Sequence, residues 1–188
     1  MKKMSLLLFC LIFSFPLHAQ EKTLVGEDID NGGFGAPVLK FTGVNGEGKV
    51  MTGARGGWIM NHQFVLGGGS YSVVNESRTN GTAFDVDYSG LELEYIAKPV
   101  DLIHYSVYLL IGGGDIRERK DDALNSVLDS DGIFVVAPEV NVLLNITEHF
   151  HVGAGLGYRW VNGVEILGLA NNDVRGMSAS LTFKFGSF

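Results

Sequence analysis

Residues 177–188 alternate apolar and polar positions with almost no interruption. Met177, Ala179, Leu181, Phe183 and Phe185 share one parity, and Ser178, Ser180, Thr182 and Lys184 the other. Strand side chains point alternately to opposite faces, so the segment predicts a strand with one apolar and one polar face. Similar runs upstream, separated by turn-forming clusters, predict strands over 34–44, 49–60, 64–74, 84–96, 103–117, 132–145 and 150–161, with the last over 174–185. No sustained 3.6-residue period follows the apolar N-terminus. The exception is Ala123, Leu124, Val127 and Leu128, whose spacing predicts a short helical turn within 121–128.

The apolar parity of each strand forms a face. Examples are Tyr105, Val107, Leu109 and Ile111; Phe134 through Leu144 at every second residue; Phe150 through Trp160 likewise; Leu91, Leu93 and Tyr95; and Leu39 with Phe41. Aromatics gather toward both ends, with Tyr95, Tyr105, Phe150 and Phe185 at one and Tyr71, Phe134 and Trp160 at the other. Val50, Thr52, Ala54, Gly56 and Trp58 make the weakest face, and Pro138 inside a strand predicts a bulge. The opposite parity holds Lys40, Arg55, Glu92, Glu94, Glu139, Arg159 and Lys184, with Thr42, His104, Tyr108, Asn141 and Thr182. Charges inside, apolar side chains outside and aromatic girdles at both rims are the pattern of a membrane-spanning β-barrel. The strands also reach the ~9–11 residues such a crossing requires. Eight strands enclose a lumen only wide enough for side chains, so the seven charges are expected to form a packed ion-pair network, not a water-filled pore. Inward Gly153, Gly155 and Gly157, with Gly112 and Gly114, are expected to make room for them.

The connections alternate in length. Those at 61–63, 97–102 and 146–149 are short, whereas 75–83, 118–131 and 162–173 are longer and polar; only 45–48 departs from this rhythm. Small barrels have short periplasmic turns and longer external loops, which orients both termini toward the periplasm.

Lys2 and Lys3, the apolar run from Leu6 to Phe15, and Ala19 before Gln20 have the layout of a secretory signal peptide. The run is half the ~20 residues of a spanning helix. Cys10 lies mid-run behind bulky Phe9, which argues against a lipoprotein signal. The expected organisation is a signal peptide over 1–19, a periplasmic N-terminal tail over 20–33 and an outer-membrane barrel over 34–188. Cleavage removes the chain's single cysteine and two lysines, so 14 basic residues become 12 against 21 acidic ones and the net charge moves from −7 to −9. Such a chain is a poor nucleic-acid binder.

The architecture and the closing strand Leu181-Thr182-Phe183-Lys184-Phe185 resemble the small outer-membrane β-barrel proteins, the group that includes the OmpA transmembrane domain and OmpX. The resemblance covers about residues 34–188. It implies an all-β, eight-stranded antiparallel up-and-down barrel in the outer membrane of a Gram-negative bacterium. It also implies contact with outer-membrane lipid and lipopolysaccharide, a monomeric state, no cofactor, and a terminal strand read by the barrel-assembly machinery through Leu181, Phe183, Phe185 and Phe188. Phe188 departs from the family pattern because its parity is that of the polar face. Phe185 is therefore expected to be the effective end, with Gly186-Ser187-Phe188 overhanging. The Ala-Gln signal ending resembles those of Bacteroidetes.

Candidate chemistry is sparse. His104, Ser106 and Glu118 resemble the His-x-Ser…Glu arrangement of lipid A 3-O-deacylases, since a serine nucleophile needs a base and an orienting carboxylate. Yet twelve residues of strand separate Ser106 from Glu118 by about 40 Å at ~3.3 Å each. Gly153-Ala154-Gly155-Leu156-Gly157 lacks the strand-to-helix context of a nucleotide loop. Asp129-Ser130-Asp131-Gly132 lacks the remaining ligands of a calcium loop and is expected to be solvated. His149 and His151 have no third zinc ligand. The three Asn-x-Ser/Thr sequons, beginning at Asn75, Asn80 and Asn145, are expected to be turn residues. The reading is therefore a non-enzymatic barrel whose external loops mediate envelope or surface interactions. A lipid A-modifying enzyme and a narrow pore for small solutes are the alternatives, and a soluble barrel with the apolar parity inside is a further one.

Overall fold

The computed structural model describes residues 31–44, 46–74, 77–79, 82–120, 127–165 and 169–188. Its strands are β1 (Asn31–Val44), β2 (Glu47–Met60), β3 (Phe64–Val73), β4 (Ser77–Thr79), β5 (Thr82–Ala97), β6 (Ile103–Lys120), β7 (Val127–Thr147), β8 (Phe150–Asn162) and β9 (Gly176–Ser187), with one helical turn, α1 (Asn171–Val174). Every pairing is antiparallel, and apart from β3 and β4 consecutive strands are neighbours. β1 also pairs with β9, and β3 with β5, so the sheet closes on itself. β4 continues β3 along β5 after a bend. Together they form one stave, and the barrel has eight. Closure leaves no open sheet edge.

The predicted strands are all present, several of them longer. β1 starts at Asn31, so 31–33 belong to the wall and not to the tail; residues 1–30, with the predicted signal, lie outside the described residues. Val127 and Leu128 continue β7 as strand, replacing the helical turn expected there, and the rest of that turn lies outside the described residues. The helical turn that does form is α1, within a stretch read as loop and strand onset. Pro138 makes no bulge. The β7–β8 register is the same on either side of it, from Val136↔Trp160 to Glu139↔Gly157, and the shifts fall at Asn145/Thr147 and, against β6, at Glu118/Arg119.

Alternation places apolar residues on the outer surface: Leu91, Leu156 and Met177 are 65–70% exposed. The inverted arrangement of a soluble barrel is thereby excluded. Tyr71 is a correction, because it faces the lumen and is buried. Its parity is that of buried Val65, whereas Phe64 and Leu66 face outward.

Glycines face one another at places in the wall where adjacent strands leave no room for a side chain. Gly57 opposes Gly67 and Gly90 opposes Gly112; a Cβ on Gly90 would lie 2.5 Å from the Ile111 carbonyl oxygen and 2.7 Å from Gly112 Cα. Such close approaches let a small barrel coil tightly enough to close.

Candidate functional site

The lumen has three levels. At its centre Arg55 donates from Nε to Glu92 (2.9 Å) and from Nη2 to Glu94 (2.8 Å), and Lys184 donates to both Glu94 oxygens at 2.8 Å. Tyr71 and Tyr108 donate to Glu92 Oε1 at 2.9 and 2.6 Å, so one carboxylate is held by a guanidinium and two phenols. Across the lumen Lys40 Nζ lies 3.1 Å from Glu139 Oε2, and Ser180 donates to Glu139 Oε1 at 2.8 Å. The cations also sit over rings: Lys40 over Tyr71 at 4.3 Å, Arg55 over Tyr108 at 4.2 Å and Lys184 over Phe34 at 4.7 Å. Buried charges persist only when paired and hydrogen-bonded; Arg55, Glu92, Glu94 and Lys184 meet both conditions, whereas Lys40 meets Glu139 as an ion pair alone.

Glycines shape this level. A Cβ on Gly155 would strike Asn141, Ser180 and Glu139, and one on Gly69 would strike Glu92. The absent side chains are what the carboxylates occupy.

Arg159 is a correction to the single ion-pair network. It lies near the long-loop end of β8, buried, and among the described residues it pairs with carbonyls and a thioether instead of a carboxylate. It donates from Nε and Nη2 to the Val174 carbonyl (3.0 and 2.8 Å), from Nη2 to the Gly43 carbonyl (3.3 Å), and from Nη1 to Met51 Sδ (3.1 Å). It thus clasps the end of α1 and the first hairpin to the wall. Val164, Leu169 and Val174 are buried beside it and join an apolar cluster with Met51, Tyr88 and Ile133. Asp131 and Asn171 accept from the Glu165 and Val164 amides, fixing the loop that carries these side chains. The long-loop end is therefore filled with apolar side chains, which a lumen read purely as an ion-pair network did not anticipate.

The short-turn end holds a second apolar cluster of Phe34, Ala36, Ile59, Val65 and Ile96. Phe188 packs against it. Its ring stacks on His151 at 3.7 Å and near Phe34 at 6.4 Å, so the chain turns into the barrel mouth and does not overhang. Polar-face parity in a barrel means facing inward, and an aromatic there can only fill the lumen. Phe185 faces outward and stacks on Phe150 at 4.7 Å. Beside Phe188 a cavity of about 370 Å³ is lined by His104, His151, Leu143 and Lys184.

The other predicted motifs do not assemble into sites. His104 and Ser106 both face the lumen and are buried. His104 Nδ1 lies 3.3 Å from the Asp101 carbonyl oxygen, and Glu118 pairs through its backbone with Phe84 and Asp129 at the far end of β6. The triad is not formed. Asp129 to Gly132 is part of β7, not a solvated loop, and Gly153 to Gly157 lies wholly in β8. His151 meets His104 edge-on at 5.9 Å, while His149 sits in the turn before β8. Among the described residues no group of three or more metal-ligating side chains converges. Tyr71, Met51 and Phe188 are lumen groups that sequence reasoning misses, and inward parity is the signal that could find each.

By sequence the chain matches no protein-family model and no curated protein. By structure it is similar to Neisserial surface protein A (TM-score 0.60, 13% identity, covering 85% of this chain and 99% of that one). It is also similar to Ail, the attachment invasion locus protein of Yersinia pestis (0.54, 10%, 83% and 97%). A third is the N-terminal β-barrel domain of Pseudomonas aeruginosa OprF (0.52, 12%, 81% and 96%). Ail has also been solved with the heparin analogue sucrose octasulfate. At these identities the shared property is the fold, the small eight-stranded antiparallel barrel of outer-membrane proteins.

Proposed function

We propose that the chain is a bacterial outer-membrane barrel that neither conducts nor catalyses, and that serves as a rigid mount for its long loops. The observation that carries this is the inversion of a soluble core: aliphatic and aromatic side chains cover the outside, while paired charges fill the inside. Only a hydrocarbon solvent makes that inversion stable. Non-conduction is supported by the ion-paired centre and by the apolar cluster at the long-loop end, which close the lumen above the short-turn cavity. A non-enzymatic role is favoured because Glu118 lies at the far end of β6 from His104 and Ser106, and because both of those side chains face the lumen and are walled off from lipid.

Contacts with lipopolysaccharide, envelope proteins or surface partners then fall to the connections from β3 to β5, β6 to β7 and β8 to β9 at the long-loop end, since loops on a rigid scaffold carry recognition. The acidic balance makes a sulfated glycan, such as the one seen with Ail, a poor partner here. Fractionation with heat-dependent gel migration tests the membrane assignment, and recovery in the soluble periplasm would overturn it. Planar-bilayer recordings test the seal, which unitary conductance in the wild-type chain would refute. An altered lipid A acyl pattern on expression, abolished by Ser106→Ala, would restore the enzyme reading.

A further inference from the structure

The apolar belt is not uniform around the barrel. Trp58, Phe64, Tyr95, Tyr105, Phe150 and Phe185 mark its rim at the short-turn end, and six residues along a tilted strand rise about 15 Å, near the middle of the hydrocarbon. At that level β6, β8 and β9 present Ile111, Leu156 and Ala179 outward, but β2, β3 and β5 present Thr52, Ser70 and Ser89, all three exposed. These hydroxyls are neighbours, because Ser70 opposes Ser89 and Thr52 opposes Ser72. Higher on the same wall Ser72 opposes Asp87, and Asp87 opposes exposed Asp115. Asp87 also pairs with Arg117 at 3.2 Å, both about one-third exposed. The apolar stretch from Phe150 to Trp160 is about 25 Å tall, whereas that from Tyr95 to Leu91 is about 10 Å.

We propose that the wall of β2, β3 and β5 draws the polar headgroups of the outer leaflet, with their water, down to about mid-bilayer, so that the barrel thins the membrane on one side only. This rests on the membrane reading above. Hydroxyls and an ion pair facing hydrocarbon leave polar groups unsolvated, and a bilayer meets a short hydrophobic face by thinning. Headgroups are favoured over a second copy of the chain because the polar surface is not an island. It runs along β5 and β6 from Ser89 through Asp87 and Asp115 toward the long-loop end, where the solvated region begins, while Val50 and Val74 lie above Thr52 and Ser72 on β2 and β3.

Nitroxide labels on the single variants Ser70→Cys, Ser89→Cys, Leu156→Cys and Ala179→Cys, in the mature chain refolded into phosphatidylcholine vesicles, test this by collision with oxygen and with a water-soluble nickel chelate. Heat-dependent migration selects folded samples, and Thr52→Cys with Ile111→Cys gives the same comparison should one variant not fold. The expected result is several-fold greater nickel accessibility at 70 and 89 than at 156 and 179. Four dry, oxygen-rich positions would overturn the thinning and leave the membrane reading intact. Four water-exposed positions would overturn the membrane reading itself. Shielding of 70 and 89 from both reagents with spin–spin broadening would show a second copy on this wall, and the proposal would fall.

Discussion

Glu94→Gln isolates the energetics of the central lumen. Glu94 accepts from Arg55 at 2.8 Å and from Lys184 at 2.8 Å, and all three side chains are at most 2% exposed. With Glu92 the four groups are neutral as a set. Removing the Glu94 charge leaves one buried cation in excess and takes from Lys184 the carboxylate it grips through both oxygens. Deleting one partner of a buried pair costs about 3–5 kcal/mol, because the remaining charge stays desolvated. At a urea slope of about 2 kcal/mol/M that moves the unfolding midpoint down by about 2 M. The assay is urea unfolding from lipid vesicles followed by the fluorescence of Trp58 and Trp160. The decisive partner is the double variant Glu94→Gln/Lys184→Met, which restores neutrality around Arg55 and Glu92. It should recover at least about half the loss, a positive coupling in a double-mutant cycle. A Glu94→Gln midpoint within error of wild type, or a double variant weaker than Glu94→Gln alone, would refute the reasoning.

Gly155→Val should cost more than about 2 kcal/mol or prevent folding, because even a Cβ collides with Asn141, Ser180 and Glu139, while outward Ala154→Val should be silent; folded yield on cold gels separates them. Arg159→Met should free the loop clasped through Val174 and Gly43, giving faster protease cleavage within 163–175 with the barrel still heat-modifiable. Phe185→Ala should lower outer-membrane yield more than Phe188→Ala does. Phe188→Ala should instead lower stability by about 1 kcal/mol through the lost stack on His151, read in urea.

Much of the wall was legible before the structure because alternation is a local property. Residues two apart share a face whatever the strand pairs with, so Leu91, Leu93 and Tyr95 could be placed outside and Glu92 with Glu94 inside from their order alone. Tyr71 was misread because the outward face of β3 is Phe and Leu for two positions and then Gly and Ser, which leaves the apolar parity ambiguous along half the strand. Phe188 was misread because an aromatic out of phase looks like an overhang until the lumen it can fill is known. Arg159 has the parity of the other charges, and parity carries no information about which partner, if any, lies opposite.

The sequence by itself determined the class of fold, the number of staves and the inside and outside of nearly every strand, since each follows from a two-residue period and turn chemistry. Tertiary structure alone decided which buried charges meet. That depends on the stagger with which distant strands close: Glu94 on β5 reaches Lys184 on β9 across the lumen, ninety residues away in sequence. Closure also decided that apolar side chains gather at both mouths and that the outer belt is tall on one side and short on the other. These are properties of the ring and not of any strand within it.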